Sequence, residues 1–294
     1  MGHPAPCMTS AIDKLIEADK RSPKKIMVVG DPMTDVYVRG YIGECQDGCP
    51  KFIEDKRIAV LGGAGNAAHT LMHWNADVSF LFSGFPGPVK TRFLVDEQCV
   101  FRHDDDRYDC DFESVRLAVL GLLRGAHYDA VLISDYDKGV MTNSFIANVA
   151  EICREHGVPC VADAKRGPLV YANCILKCNH DYSAKYNKWY EKHDGPSVLT
   201  LGEQYPILNP TGKYDDAMTE RTGFTPRVPC INHIGAGDCF GAHLTLALAY
   251  GLSLKEAAGI AHSAGRVYVQ YPNNRAPRLA EIRADMESWV TMRG

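Results

Sequence analysis

The chain has 294 residues and a formal net charge of −4 at pH 7, which gives no electrostatic reason to expect a nucleic acid or a membrane surface as partner. No apolar run approaches the roughly 20 residues that cross a bilayer, and residues 1–25 lack the continuous apolar core of a signal peptide. The composition therefore predicts a soluble, cytoplasmic protein that binds neither nucleic acid nor membrane.

Apolar strands and amphipathic helices alternate along the chain. A short amphipathic helix, marked by Ile12, Leu15 and Ile16, precedes the first strand. The predicted strands cover 25–30, 58–61, 78–82, 130–133, 158–162, 174–177 and 197–201. The predicted helices cover 66–74, 112–124, 143–156 and most of the chain from 237 onwards, with a break at 271–274. This alternation predicts an α/β fold in which helices cover a mostly parallel sheet.

Two segments, about 36–58 and 89–103, are extended and interrupted by turns, with no helices between them. They predict a small β lid beside the main sheet, and the absence of a repeat or linker predicts a single domain over 1–294. Their large apolar residues are Tyr41, Ile42, Phe52, Ile53, Phe93, Leu94, Val100 and Phe101. A thin lid does not bury so many apolar side chains alone, which favours a second surface against it. The alternative is a small lid that folds back on its own domain.

The eleven cysteines do not predict a metal site or a disulfide framework. Cys45 and Cys49, and likewise Cys174 and Cys178, have the spacing C-x3-C, but no second Cys or His pair follows at zinc-site spacing. The odd count and the lack of a secretion signal argue against disulfides. The acidic run at 104–111 lacks the ligand spacing of a calcium loop. We therefore predict no metal-binding cluster of side chains.

The most informative stretch is 234–241 (IGAGDCFG), which opens a helical run. Small residues before an acidic one leave the N–H groups of a helix start accessible, and the positive end of the helix dipole favours an anion there. Asp238 follows directly and is a candidate base for a nucleophile that attacks the bound anion. The alternative is an ordinary turn in which Asp238 only complements the helix dipole.

Other glycine patterns carry less weight. Gly63, Gly65 and Ala68 follow a strand and open a helix, as a dinucleotide fingerprint does, but the next strand ends without the acidic residue that binds ribose. The chain also lacks the G-x-x-x-x-G-K-[ST] loop of P-loop nucleotide hydrolases. Neither nicotinamide chemistry nor a P-loop fold is favoured.

Several separated motifs together resemble the ribokinase (PfkB) family of carbohydrate kinases, and among its members the bacterial heptose 7-phosphate kinase domain. The motifs are 29–35 (VGDPMTD), 62–66 (GGAGN), 134–139 (SDYDKG), 163–165 (DAK) and 235–238 (GAGD), with Lys90, Arg92 and Arg102. The resemblance covers roughly residues 25–280. It implies a ribokinase-like three-layer α/β/α fold with a mostly parallel central sheet and a small β lid. It also implies use of ATP and Mg²⁺, and a homodimer formed through the lid.

The resemblance assigns roles residue by residue. Asp238 would be the catalytic base, with Gly235, Ala236 and Gly237 holding the transferred phosphoryl group. The implied substrate-binding residues are Asp31, Asp35, Gly62, Gly63, Asn66, Arg92, Arg102, Asp135 and Lys138. The implied nucleotide-binding residues are Lys165, Asn179, Thr200, Gly202 and His262.

Each of these roles has an ordinary alternative. Turn formation would explain Asp31 and Asp35, and a helix cap would explain Asn66. A solvated surface charge would explain each Lys and Arg, and side-chain packing would explain His262.

The chain departs from the family pattern at several positions. Tyr182 stands where the family carries a Glu that helps to organise magnesium, and Tyr205 replaces the glycine that closes the nucleotide loop. Asn232 stands where an Asp is common, and the connection from 84 to 90 is short. The leading interpretation is a kinase for a sugar or sugar phosphate, heptose 7-phosphate first. The alternatives are a catalytically weakened member that binds a sugar or nucleotide, and a nucleoside or other small-alcohol kinase.

Overall fold

The computed structural model describes residues 5–46, 48–82, 87–107, 110–179, 193–209 and 226–291. Its strands are β1 (Lys25–Gly30), β2 (Pro32–Gln46), β3 (Cys49–Gly63), β4 (Asp77–Phe80), β5 (Val89–Val95), β6 (Gln98–Asp105), β7 (Ala130–Ser134), β8 (Cys160–Asp163), β9 (Ile175–Asn179), β10 (Ser197–Leu201) and β11 (Gln204–Asn209). Its α-helices are α1 (Ala5–Arg21), α2 (Ala64–Leu71), α3 (Phe112–Gly125), α4 (Asn143–His156), α5 (Ala236–Ala249), α6 (Leu254–Tyr268) and α7 (Leu279–Thr291).

The larger sheet has seven strands in the order β11-β10-β9-β8-β7-β1-β4. Pairing is parallel from β4 through β10, and only the edge strand β11 runs antiparallel to its neighbour. The central strands β1 and β7 are apolar runs buried along almost their whole length, as expected when helices cover both faces of a parallel sheet. The predicted α/β architecture is confirmed.

Two apolar cores, one on each face of this sheet, make the fold a three-layer α/β/α arrangement. The first core joins β1 to helices α1, α2, α5, α6 and α7. The second joins the opposite face to α3 and α4. Thr142 caps α4 by accepting the N–H of Phe145, and Gly157 ends that helix in the left-handed conformation. The predicted boundaries of this helix, 143–156, are confirmed.

Helix α1 belongs to the fold rather than preceding it. Ala11, Ile12 and Leu15 are fully buried in the first core, and α1 packs against α6 and α7. The expected short helix before the fold proper is therefore a 17-residue structural element. Its apolar stripe has the spacing that buries one face of a helix.

The smaller sheet forms the predicted lid, in the order β3-β2-β5-β6. β2 and β3 form a long antiparallel hairpin, β5 runs parallel to β2, and β6 returns antiparallel to β5. The segment 58–61, expected as a separate strand, is the last part of β3 in this lid. Its residues alternate between half-buried and exposed, which is the pattern of a sheet with one open face.

Among the described residues, no helix is long and apolar enough to span a membrane. In the same ranges, no group of three or more His, Cys, Asp or Glu side chains is arranged to hold a metal ion.

Candidate active site

The carboxyl ends of the parallel strands β1, β7, β8 and β9 meet at one edge of the large sheet, and the start of α5 lies against them. Open α/β sheets bind ligands at this edge. Asp31, Asp135 and Asp163 stand at or just after the ends of β1, β7 and β8. The motifs of the sequence therefore converge here because parallel pairing brings strand ends together.

The start of α5 has the form of an anion-binding site. Gly235 precedes the helix with a φ of 84°, and a Cβ there would collide with Tyr268 Oη and Asn66 Nδ2, so only glycine fits. The N–H of Ala236 donates to the His233 carbonyl at 3.2 Å. The next N–H groups, including that of Gly237, project from the positive end of the helix, where an anion is stabilised.

Asp238 lies in the first turn of α5 and is 4% exposed. Tyr136 Oη donates to its Oδ1 at 2.7 Å, and Asn66 Nδ2 donates to its Oδ2 at 3.2 Å. Burial, followed by the charge of Asp163, raises the pKa of Asp238 to about 6, and the hydrogen bonds from Tyr136 and Asn66 oppose this rise. The carboxyl group is thereby oriented and has a pKa close to neutrality, as a general base requires.

Asn66 ties the start of α2 to the start of α5. Its amide nitrogen also lies 3.3 Å from the Gly235 carbonyl and 3.3 Å from Tyr268 Oη. The side chain is buried, and within the described part of the chain its Oδ1 has no hydrogen-bond partner. Because a buried acceptor normally has a donor, this oxygen is available to a ligand hydroxyl.

Asp163 and Lys177 form a buried ion pair beneath the same helix start. Lys177 Nζ lies 2.8 Å from Asp163 Oδ2, and both side chains are at most 5% exposed. A Cβ on Gly237 would lie 3.0 Å from Lys177 Nζ. Lys177 was missed in the sequence, although a Lys inside the apolar run 174–178 is unusual enough to have marked it.

The predicted sugar side lies where the lid strands leave the large sheet. Arg92 Nη1 donates to Asp35 Oδ1 at 2.6 Å, and both side chains are buried. A Cβ on Gly62 would collide with Asp35 Oδ2, so Gly62 makes room for this carboxylate. Gly63 has a φ of 55° and lies directly before α2. Asp35, Gly62 and Arg92 are thus in direct contact at the base of the lid.

Asp31 and Asp135 are fully buried and hold the loop that follows β7. Asp31 accepts the backbone N–H groups of Tyr136, Lys138 and Val140 at 2.9–3.2 Å. Asp135 accepts Arg166 Nε at 2.8 Å and Tyr171 Oη at 2.7 Å. The contacts of Asp31 reach a loop more than 100 residues later, so they are not those of a local turn after β1, and Asp31 holds the backbone of Tyr136 in place.

The basic residues divide into two groups. Lys90 and Lys165 lie over the ring of Tyr136, the residue that donates to Asp238, with their Nζ atoms 5.3 and 4.9 Å from the ring centroid. Lys138 Nζ lies 2.6 Å from Asp106 Oδ2, directly after the lid strand β6. Arg102 Nη2 lies 2.5 Å from Asp104 Oδ2 within β6. Burial lowers the pKa of Lys90.

Four of the predicted nucleotide-binding residues lie on β9, on β10, in the turn between β10 and β11, and on α6. Asn179 lies opposite Thr200 in the β9–β10 register, and Gly202 turns the chain into β11 with a φ of 61°. The His262 ring lies 5.2 Å from that of Tyr205. Burial lowers the pKa of His262 to about 3, so this ring is neutral.

Tyr182 lies outside the described residues.

Comparison with known proteins finds relatives in sequence and solved structures with the same fold. No protein-family model matches the chain. The chain is 27% identical over 305 residues to the bifunctional protein HldE of Geobacter metallireducens, covering 88% of this chain and 62% of the relative. It is 26% identical over 327 residues to the bifunctional protein HldE of Granulibacter bethesdensis, covering 93% of this chain and 67% of the relative. The chain thus spans less than two thirds of the first relative's length.

Two solved structures share the fold. Ribokinase of Arabidopsis thaliana, complexed with ribose and ATP, superposes with a TM-score of 0.65 at 16% identity, over 90% of this chain and 99% of that one. Phosphofructokinase-2 of Escherichia coli, in complex with fructose-6-phosphate, gives a TM-score of 0.67 at 16% identity, over 92% and 100%. The predicted ribokinase-like fold and the resemblance to the ribokinase/PfkB kinases are confirmed.

Proposed function

We propose that this chain, which has the fold of ribokinase and phosphofructokinase-2, is an ATP-dependent carbohydrate kinase. The observation that carries the proposal is the environment of Asp238. Asp238 is a buried carboxylate with a pKa raised to about 6, oriented by Tyr136 and Asn66 beside the open N–H groups of a helix start. A base next to an anion site is the arrangement that phosphoryl transfer to an alcohol requires.

In the proposed reaction, a sugar hydroxyl lies against Asp238 and its oxygen attacks the γ-phosphorus of ATP. A bond forms between that oxygen and phosphorus, the bond to the β,γ-bridging oxygen breaks, and ADP leaves with the bond's electron pair. The proton of the hydroxyl passes to Asp238. The N–H groups at the start of α5 stabilise the charge on the transferred phosphoryl group.

Magnesium would enter this site with the nucleotide. Mg²⁺ keeps several waters and binds through one or two carboxylates plus phosphate oxygens. The described residues offer Asp163 as a carboxylate near the start of α5, and this group is paired with Lys177. Phosphate and water would therefore supply most of the ligands, and the ion would neutralise phosphate charge.

We propose a sugar phosphate as acceptor, with heptose 7-phosphate first. The motifs that resemble the heptose 7-phosphate kinase domain support this choice, as does the similarity to the HldE proteins. Lys90 and Lys165, both over the ring of Tyr136, supply positive charge next to the residue that donates to the base, and this charge suits a phosphorylated substrate.

The competing proposal is a member of the same fold that binds a sugar or nucleotide without efficient transfer. One observation favours it, since the ring of Tyr205 packs on His262, where the resemblance places the adenine pocket. The intact arrangement around Asp238 favours the enzyme.

We further propose a homodimer through the lid. Tyr41, Ile42, Val100 and Phe101 are at least 50% exposed on the lid sheet, and a second copy would cover them. Light scattering at micromolar concentration should give a dimer mass, and a strictly monomeric mass would contradict this proposal.

The experiment for the function is a screen of phosphoryl transfer from ATP, with Mg²⁺, to sugars, sugar phosphates and nucleosides. We expect transfer to a sugar phosphate above all, and heptose 7-phosphate to have the highest kcat/KM. Nucleotide binding without transfer to any member of the panel would favour the competing proposal.

A further inference from the structure

Lys177 occupies an unusual position for a lysine. It lies in the middle of β9, directly opposite Asp163 of β8 in the parallel register. Its neighbours Leu176 and Cys178 are fully buried, and Lys177 itself is 2% exposed. Lysine is almost never buried this deeply unless it is paired, and here the pair is with Asp163 at 2.8 Å.

Stability alone is a weak reason for such a pair. Moving two charges out of water carries a desolvation cost that their attraction often fails to repay, and apolar residues of similar volume are frequently at least as stable. The surrounding strand is apolar, so an aliphatic side chain would suit the site. A buried charged pair retained next to a candidate active site therefore points to chemistry.

The ammonium of Lys177 lies against the anion-binding end of α5. A Cβ on Gly237 would lie 3.0 Å from Nζ and 3.8 Å from Asp163 Oδ2, so the missing side chain is what lets the charge approach the helix start. The charge also acts on Asp238, whose pKa it lowers. An ammonium has three N–H donors, and Asp163 is its acceptor among the described residues, which leaves donors for a ligand.

We propose that Lys177 is a further catalytic residue, which donates to the γ-phosphoryl group of ATP while Asp163 holds it in place. The inference rests on the proposed kinase function and deepens it. As the phosphoryl group passes from ADP to the acceptor oxygen, Lys177 adds a fixed positive charge to the N–H groups of Gly237 and its neighbours. A preorganised donor in a site shielded from water stabilises such charge strongly.

The test compares the binding of ATP and ADP by calorimetry, in the presence of Mg²⁺ and without acceptor, in the wild type and in Lys177→Met. A contact with the γ-phosphoryl group affects ATP and not ADP. We expect the preference for ATP over ADP to fall roughly ten- to a hundredfold, the range of a hydrogen bond to a charged group, with the affinity for ADP close to that of the wild type.

Lys24→Met is the matched control, because Lys24 also forms a 2.8 Å pair with an aspartate, Asp129, away from the site. It should keep the wild-type preference. Since Lys177→Met leaves Asp163 charged and unpaired, the double variant Lys177→Met/Asp163→Asn guards against misfolding and should show the same fall.

The inference is overturned if the folded single or double variant keeps the wild-type preference for ATP, or if the wild type shows no such preference. These outcomes are separate from the fate of the proposed function. A wild-type protein that prefers ATP through Lys177 but transfers phosphate to no acceptor would refute the kinase reaction and leave the γ-phosphoryl contact standing.

Discussion

The hydrogen bond from Tyr136 to Asp238 allows a quantitative prediction for the variant Tyr136→Phe, which removes the phenol oxygen and keeps the ring. Burial, then the charge of Asp163, raises the pKa of Asp238 to about 6, and the Tyr136 hydrogen bond opposes the rise. Without that bond at 2.7 Å, the pKa of Asp238 should increase and less of the group should be ionised in mildly acidic solution.

The size of the effect follows from the bond that is lost. A hydrogen bond to a charged group contributes about 1.5–3 kcal/mol, and 1.36 kcal/mol corresponds to a tenfold change in the ratio of charged to neutral carboxyl. We take the lower end because Tyr136 is only half-buried. Below the pKa of Asp238, kcat/KM for the acceptor should therefore fall about tenfold.

The assay is kcat/KM for the acceptor against pH, from about pH 5 to about pH 9. The acid side of the profile should move to higher pH in Tyr136→Phe, and the two profiles should converge in alkaline solution. Tyr128→Phe, which loses a 3.2 Å hydrogen bond to Ser79 away from the site, should keep the wild-type profile. A loss by the same factor at every pH would refute the reasoning, since it would mean that Tyr136 does not act through ionisation of Asp238.

Two further substitutions test the sugar side and the fold. Gly62→Ala would push a Cβ against Asp35 Oδ2, so we expect a higher KM for the sugar with a smaller change in kcat. Gly125→Ala, where a Cβ meets nothing within 4 Å, should leave both constants unchanged. Equal effects of the two substitutions would contradict the role of Asp35. Leu15→Ala removes a fully buried side chain of α1 and should lower the free energy of unfolding by about 2–5 kcal/mol in chemical denaturation, while a loss below about 1 kcal/mol would show that α1 is peripheral to the core.

Local patterns in the sequence were sufficient for the parts of the fold that depend on neighbouring residues. The apolar run 25–30 could be assigned because a strand buried on both faces has no polar positions. The stretch 235–238 could be assigned as a helix start because small residues and an acid favour that position. The edge strand β11 was missed, since it continues from a two-residue turn at Gly202 in a segment read only as part of a nucleotide loop.

Contacts between distant parts of the chain could not be read from the sequence in the same way. Lys177 meets Gly237 only because β9 ends beneath α5, and a single Lys in a strand gives no sign of which residue it faces. The carboxylate of Asp31 accepts a hydrogen bond from the backbone of the loop after β7, more than 100 residues later. Tyr136 lies within a motif that was noted, but its bond to Asp238 depends on how two strand ends and a helix come together.

The variant Asp238→Asn tests the central claim, because it removes the base and keeps the shape of the side chain. The effect of this substitution on the stability of the protein follows from the pKa of Asp238. Since the folded pKa of Asp238, about 6, lies above its unfolded value of 3.8, the stability linked to this group is fully present below the unfolded pKa and is lost as pH rises through the folded one. At neutral pH the neutral Asn should therefore not destabilise the protein, and thermal unfolding can confirm it.

The decisive measurement is the turnover number of Asp238→Asn for transfer of phosphate from ATP to the best acceptor, with ATP affinity measured in parallel. The account predicts a fall of roughly 10²- to 10⁴-fold in kcat in a folded protein that still binds ATP. Turnover at the wild-type level in this variant would contradict the assignment of Asp238 as the base, and with it the proposed function of the site.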